Sequence, residues 1–415
     1  MVMRTAWQAP LWRSILPLQV FLLGGCDAAP KQLRQVDVSH FQFDPASADV
    51  VHELNATDLE RAPIWKLDRG TRFTIAPVTD AAGGWPRHVL RLPDGNIAVG
   101  YGTGARVLVY NESAKAVVSE WGRKGAAPGE FQFVRWLGLC GPDGLYAFDS
   151  GLGTLTLFNL KGDLLDVERL PPHGDMPSVS PPACSATGNF VIAHNITIPT
   201  PLREGLFRPH TTIAARRAAS ESNAFSDVVT IPGADSYHWP EQTGPIGDFG
   251  RRLEFALGDS TVFIVTGDEF EVAEYSLEGK LLNLLRVNGV ERPPVTAVDL
   301  ERVRREQLGA ADPKYHAKLE KTLASMEWPA FHPVLSGIMI DPKGCIWVKH
   351  NQPQHVDNVW RVLTRSGRPA ATITTPDEFN LGQITDNELI GHSTSGSGGG
   401  EIVIYRYERA RQIEC

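Results

Sequence analysis

A cassette recurs along this 415-residue chain: a tight polar turn, an apolar strand, a second strand after a loop, another turn, then a third strand. It reads LPDGNIAVGYGTGARVLVYNESAKAVVSEW from Leu92, GPDGLYAFDSGLGTLTLFNLKGDLLDVERL from Gly141 and LGDSTVFIVTGDEFEVAEYSLEGKLLNLLRV from Leu257, and a fourth clear copy starts at Asp341. Self-similarity every ~40 to 50 residues belongs to radially repeated four-stranded sheets, so the expected fold is an all-β, six-bladed β-propeller. Inner turns fall near Asp94, Asp143, Thr187, Asp259, Lys343 and Asp386, with the third and sixth copies weakest. The last repeat supplies only three strands before the chain ends. An unpaired sheet edge invites association, so the early strand near Ile64 is expected to close the last blade.

Connections of two kinds alternate. First-to-second turns (PDGN, PDGL, ATGN, GDST, PKGC, TDNE) and third-to-fourth turns (NLKGD, SLEGK, TRSGR) carry the Gly, Asn and Asp that hairpins require. The other connections grow long, at 195–209, 232–250, 288–331 and 351–358. Strands alternate in direction, so every long connection emerges on one face, and long loops in compact domains are usually functional. The longest holds a helical insertion, about 294–328, between blades four and five. Val298, Leu300, Val303 and Leu308 mark one helix; Tyr315, Leu319, Leu323 and Met326 mark the stripe of a second. That pair either covers apolar surface or forms a lid.

Residues 1–25 read as an export signal: Arg4 and Arg13, a short apolar run over 15–23, then Leu23-Gly24-Gly25-Cys26. The ending resembles a bacterial lipobox, which implies lipidation of Cys26 and a lipid anchor in the cell envelope, on the periplasmic side or the cell surface. Residues 26–60 read as a tether and 61–415 as the propeller. The full chain carries 40 basic and 48 acidic side chains; loss of the two leader arginines leaves 38 against 48, a charge of −10. Such a balance excludes non-specific nucleic-acid binding, which needs a basic surface. Cys140 and Cys184 occupy equivalent places on neighbouring blades; with Cys345 and Cys415 they are expected as buried free thiols, although export permits disulfides.

GRKGAAPGEFQFVRWLGLCGPDGLYAFDSGLGTLTLFNLKGDLL and FHPVLSGIMIDPKGCIWV resemble NHL-type six-bladed propellers, and the chain as a whole is similar to bacterial propeller lipoproteins. Gly122, Gly125, Pro128, Gly129, Glu130 and Phe131 match the family's blade junction. The resemblance implies protein or ligand binding and, in some relatives, lactone hydrolysis or lyase chemistry on a channel-bound metal. It does not select among them.

Two clusters could carry chemistry on the loop-rich face. His88, His194, His332, His350 and His392 map to the channel mouth, where neutral imidazoles could hold zinc or calcium. No His-x-His or His-Glu-x-x-His spacing exists, so the bland reading is ordinary loop and strand histidines. Arg87, Arg135, Arg251 and Arg252 begin the inner strands of three blades, placed to grip a carboxylate or phosphate. The competing reading pairs them with Glu130, Asp248 and Glu254 as rim ion pairs. Trp85, Trp136, Tyr237, Trp239, Trp328 and Phe331 line the same rim and read mainly as packing. The expected role is therefore a membrane-anchored binding or scaffold protein that engages a small molecule or partner protein through this face. The alternative is a metal-dependent hydrolase or lyase, in which case zinc or calcium is the cofactor.

Overall fold

Six sheets of four or five strands, antiparallel but for one added edge strand, dominate the computed structural model, in an arrangement like that of a propeller. The structure describes residues 34–36, 40–75, 85–113, 115–170, 181–198, 202–220, 224–239, 242–247, 249–352, 357–393, 400–409 and 415. The expected export signal, Cys26, Asp248 and the glycine-rich loop 394–399 lie outside them.

Each sheet begins with an innermost strand: Pro86–Arg91, Val134–Cys140, Ala183–Cys184, Glu254–Leu257, Leu335–Ile340 and Phe379–Ile384. Second strands such as Ile97–Tyr101, Gly144–Asp149 and Thr261–Val265 are apolar on both faces and buried at every position. That pattern belongs to a strand sandwiched between sheets. Fourth strands such as Ala116–Trp121 and Leu164–Arg169 are mostly exposed, as outer edges are. The tight turns need backbone that only glycine adopts freely: Gly95 and Gly344 sit at φ 89° and 82°.

Every adjacent pair of sheets shares a hydrophobic cluster. Val134 and Leu137 pack on Leu90 and Val107; Tyr146 and Phe148 on Phe190 and Ile192; Val191 and Ile213 on Val262 and Ile264. Val265 and Phe270 then meet Leu335 and Val348, Trp347 meets Tyr405, and Ile390 and Ile402 meet Val89 and Ile97. The sixth sheet runs Phe379–Ile384, Glu388–Ser393, Glu401–Tyr407 and then the early strand Leu67–Ile75, with Phe73 opposite Ile404. At its inner end the Gln383 side chain accepts from Arg91 N at 2.6 Å, joining the sixth sheet to the first.

Part of the stretch read as a tether is instead folded. Val50–Asn55 adds a parallel fifth strand to the fourth sheet beside Leu281–Asn288, and a short helix follows, α1 (Ala56–Glu60), with Leu59 buried. Its apolar and polar residues alternate too weakly for the strand to stand out in sequence. Arg361 holds α1 by donating to Leu59 O at 3.1 Å.

The cysteines also correct the sequence reading. Cys140–Cys184 and Cys345–Cys415 are disulfides, with Cα atoms 5.0 and 4.9 Å apart. Innermost strands converge at their turn ends, which brings Cys140 and Cys184 inside the ~7 Å that a bridge spans. Gly141 N donates to Ser185 O at 3.0 Å beside them.

The inserted segments build a cap. Gly205–Phe207, Ser236–Trp239 and Gln242–Pro245 form a three-stranded satellite sheet, and α2 (Ala297–Ala310) and α3 (His316–Ser325) accompany it. Leu300 and Val303 of α2 pack with Tyr237, Phe249, Met326 and Trp328, while Leu323 of α3 packs from the edge. Val298 and Tyr315, read as parts of apolar stripes, face solvent. Thr296 caps α2 through a reciprocal box with Asp299, which satisfies two otherwise orphaned N-terminal groups.

Candidate functional site

Three basic side chains meet at the loop-side end of the innermost strands. Arg87 and Arg135 each occupy a β-bulge, between Pro86 and His88 and between Val134 and Trp136. A bulge inserts one residue and re-aims its side chain. Arg87 lies over Phe133 at 5.4 Å and Arg135 over Trp136 at 4.4 Å, so aromatic faces support both guanidiniums. Burial pushes the Arg135 pKa down to about 10, and the positive charges of Arg87 and Arg252 push it in the same direction. Arg135 therefore stands in the field of both. Burial lowers Arg87 as well, and among the described residues it has no ion pair.

Strand alternation separates Arg251 from Arg252. Arg251 and Leu253 turn into the protein, whereas Arg252 and Glu254 are half-buried on the other side. Arg251 Nε lies 2.9 Å from Asp235 and its Nη1 2.6 Å from Asp268; Arg208 shares Asp268 at 2.5 Å. Arg251 is thus a structural ion pair, though with Asp235 and Asp268 in place of the carboxylates the competing reading named, and it stands apart from the other three. Arg252 donates to Gly247 O at 3.1 Å.

Two further groups join the cluster. Glu254 has its pKa raised to about 7 by burial, partly offset by the charges of Arg252 and Lys349. Lys349, on the second strand of the fifth sheet, is lowered by burial, with Asp377, Arg252 and Glu254 acting on it. The sequence reading named Glu254 only as a rim partner and missed Lys349. Its signal was a single lysine inside the apolar strand IWVKH. Arg252 and Lys349 therefore act on Glu254, and the exposed Asp377 acts on Lys349 as well.

The five histidines do not come together. His88 and His392 are neighbours: burial pushes both pKa values down to about 4, and His392 is pushed further by His88 and Arg87. His194 Nε2 instead reaches Asp227 at 3.1 Å across its own sheet. His332 belongs to the cap, 3.4 Å from Asp299 and edge-on to Phe249 at 5.0 Å. His350 is buried edge-on to Phe270 at 5.3 Å, facing away from its neighbour Lys349. Among the described residues no three His, Cys, Asp or Glu side chains are grouped to hold a metal ion. Of the rim aromatics, Tyr237 and Trp328 are core of the cap, Trp136 stacks on Phe148 at 5.5 Å, and Trp85 is exposed. Trp239 packs at the cap's edge, and Phe331 lies under Arg292 at 4.4 Å.

Glu130 closes its own junction loop, accepting from Ala126 N, Ala127 N and Arg123 Nε at 2.8 to 3.1 Å. It is therefore no partner of the central arginines. No described helix is long and apolar enough to cross a membrane.

No family model and no curated protein matches this chain. Among solved structures it is similar to a member of the DUF4221 family from Bacteroides vulgatus, at 6% identity and TM-score 0.47, over 84% of this chain and 99% of that one. A candidate exported protein from Bacteroides fragilis aligns at 12% identity and TM-score 0.45, over 87% and 99%. Virginiamycin B lyase from Staphylococcus aureus, solved with quinupristin, aligns at 10% identity and TM-score 0.41, over 82% and 99%. None reaches a TM-score of 0.5, so they assign neither activity nor ligand.

Proposed function

We propose that this protein is a six-bladed, NHL-like propeller, closed by its early strand and tethered to the bacterial envelope through lipidated Cys26. It works as a binding protein whose loop-rich face receives a ligand or partner. The observation that carries this reading is the meeting of Arg87, Arg135 and Arg252, from three different sheets, at the end where every long insertion emerges. Three cations gathered at one end oppose one another, and an anion docking on the loop-rich face would relieve that cost.

The test has two arms on the full chain expressed in a bacterium. Acyl labelling and membrane fractionation are expected to be lost in Cys26→Ser. Hydrogen–deuterium exchange with an envelope extract is expected to protect the insertions at 195–209, 232–250 and 288–331. Soluble wild-type protein, or protection confined to the tight-turn face, overturns the reading.

A further inference from the structure

The first described residues fix where the chain enters the fold. Arg34–Val36 pairs in parallel with Glu327–Pro329, the strand that follows α3 in the cap. Further on, His40 Nε2 lies 2.9 Å from Glu269, and Phe41 N donates to Asp268 at 3.2 Å. Those carboxylates belong to the connection between Thr261–Val265 and Glu271–Ser276, which opens on the loop-rich face. Both points of entry therefore lie at the loop-rich end, before Val50–Asn55 runs along the fourth sheet. Cys26 stands only eight residues before Arg34. An extended chain of that length reaches about 29 Å at most. A globular chain of 415 residues is about 55 Å across. Acyl chains on Cys26 would thus hold the cap near the bilayer and keep the tight-turn face away from it.

The cap has a surface suited to that position. Its helical segment 297–325 carries six Lys and Arg against five Asp and Glu, in a chain with 40 against 48. All five carboxylates are engaged: Asp299 with Thr296 and His332, Glu301 and Glu320 with Arg304, Glu306 with Arg302, and Asp312 with Lys314. Val298, Arg302 and Arg305 recur at i, i+4 and i+7 on the side of α2 away from Leu300 and Val303, and Val298 is 77% exposed. Tyr315, between the helices, is exposed as well. An exposed valine and tyrosine beside long cationic side chains suit a headgroup surface, where apolar parts enter the boundary and charges meet phosphates.

We propose that α2 and α3 dock the cap on the phospholipid surface that holds the Cys26 acyl chains. The inference rests on the lipid anchoring in the reading above and names lipid as a partner of the loop-rich face.

The test uses the full chain, expressed in a bacterium, purified in a non-ionic detergent and reconstituted into vesicles of phosphatidylethanolamine and phosphatidylglycerol. Hydrogen–deuterium exchange over 297–325 is expected to slow about threefold or more in vesicles relative to detergent, the change for a site roughly two-thirds occupied. Exchange in the turns 93–96, 141–144 and 342–345 is expected to be equal in both. Val298→Glu and, separately, Arg305→Glu, both at exposed positions, are expected to return 297–325 to its detergent rate while the protein still floats with the vesicles. If one fails to fold, the other decides. Slowing that persists in both variants, no slowing in wild type that floats with the vesicles, or slowing at the turns instead overturns the docking and leaves the anchor standing. Slowing in detergent that follows protein concentration assigns the cap to a second copy and also overturns it. Wild type that carries no acyl chain and does not float removes the anchor and this inference together.

Discussion

Arg251 and Asp268 form a buried ion pair at 2.6 Å, and the same carboxylate takes the fully buried Arg208. Asp268 also accepts from Phe41 N at 3.2 Å, so it ties the N-terminal segment, the third-to-fourth connection and the fourth sheet together. Removing one member of such a network strands the other charges, which costs about 3–5 kcal/mol. Asp268→Ala is expected to lower stability in chemical denaturation by that order, while Arg252→Ala, one residue from the pair, is not. Equal losses for both would refute the division between the ion-paired Arg251 and the half-buried Arg252.

The two histidines and Glu254 act on stability in opposite senses. His88 and His392 take a proton near 6.5 when unfolded but only at about 4 in the fold. Between those values the unfolded chain binds more protons, so their contribution rises with pH and is complete above 6.5. Glu254 ionises at about 7 in the fold against 4.5 outside it, so its contribution falls as pH rises through that window and is flat beyond it. Two histidines outweigh one carboxylate, so the wild-type thermal midpoint is expected to rise modestly from pH 5 to about 6.5 and level off by 7. Replacing both histidines by Asn leaves a midpoint that falls with pH, whereas Glu254→Gln leaves one that rises more steeply. Parallel curves for the three proteins would sink the assignment.

The two disulfides staple different parts of the molecule. Cys140–Cys184 joins the second and third sheets and closes 44 residues; Cys345–Cys415 ties the chain end to the fifth sheet and closes 70. Loop-entropy arguments give each about 4 kcal/mol. Mass spectrometry without reductant is expected to find no free thiol among these four. Replacing Cys140 and Cys184 together by Ser is expected to lower the denaturation midpoint clearly. Free thiols in exported, unreduced protein would contradict both pairings.

Sequence made the repeats, the turns and the early strand of the sixth sheet legible because each is a local pattern: Gly after a polar pair, a period of two, one missing strand. It placed Arg87, Arg135 and Arg252 at inner-strand starts for the same reason. What it missed depends on neighbouring sheets. Arg251 and Arg252 look alike in GRRLEF, and only Asp235 and Asp268, brought from other connections, distinguish them. His350 and Lys349 are adjacent, yet alternation sends one against Phe270 and the other toward Glu254. His194 was read as channel-facing because it ends a second strand, but a three-residue register irregularity there leaves it paired to Asp227 on the fourth strand.

Two glycines separate close packing from mere flexibility. At Gly382, on the innermost strand of the sixth sheet, an added Cβ would meet the Val89 carbonyl oxygen at 2.4 Å. That atom is backbone on the first sheet, already fixed by pairing with Val99, so neither side can yield. Gly309, near the end of α2, has nothing within 4 Å of an added Cβ. Gly382→Ala is expected to cost about 1–3 kcal/mol by forcing the sixth and first sheets apart. Gly309→Ala is expected to gain up to about 1 kcal/mol, because alanine loses less backbone freedom in a helix. Denaturant midpoints of the two variants should therefore move in opposite directions. If Gly382→Ala left stability unchanged, the sixth sheet would not approach the first as closely as drawn, and the space holding Arg87, His88 and His392 would be wider than their mutual electrostatic influence requires.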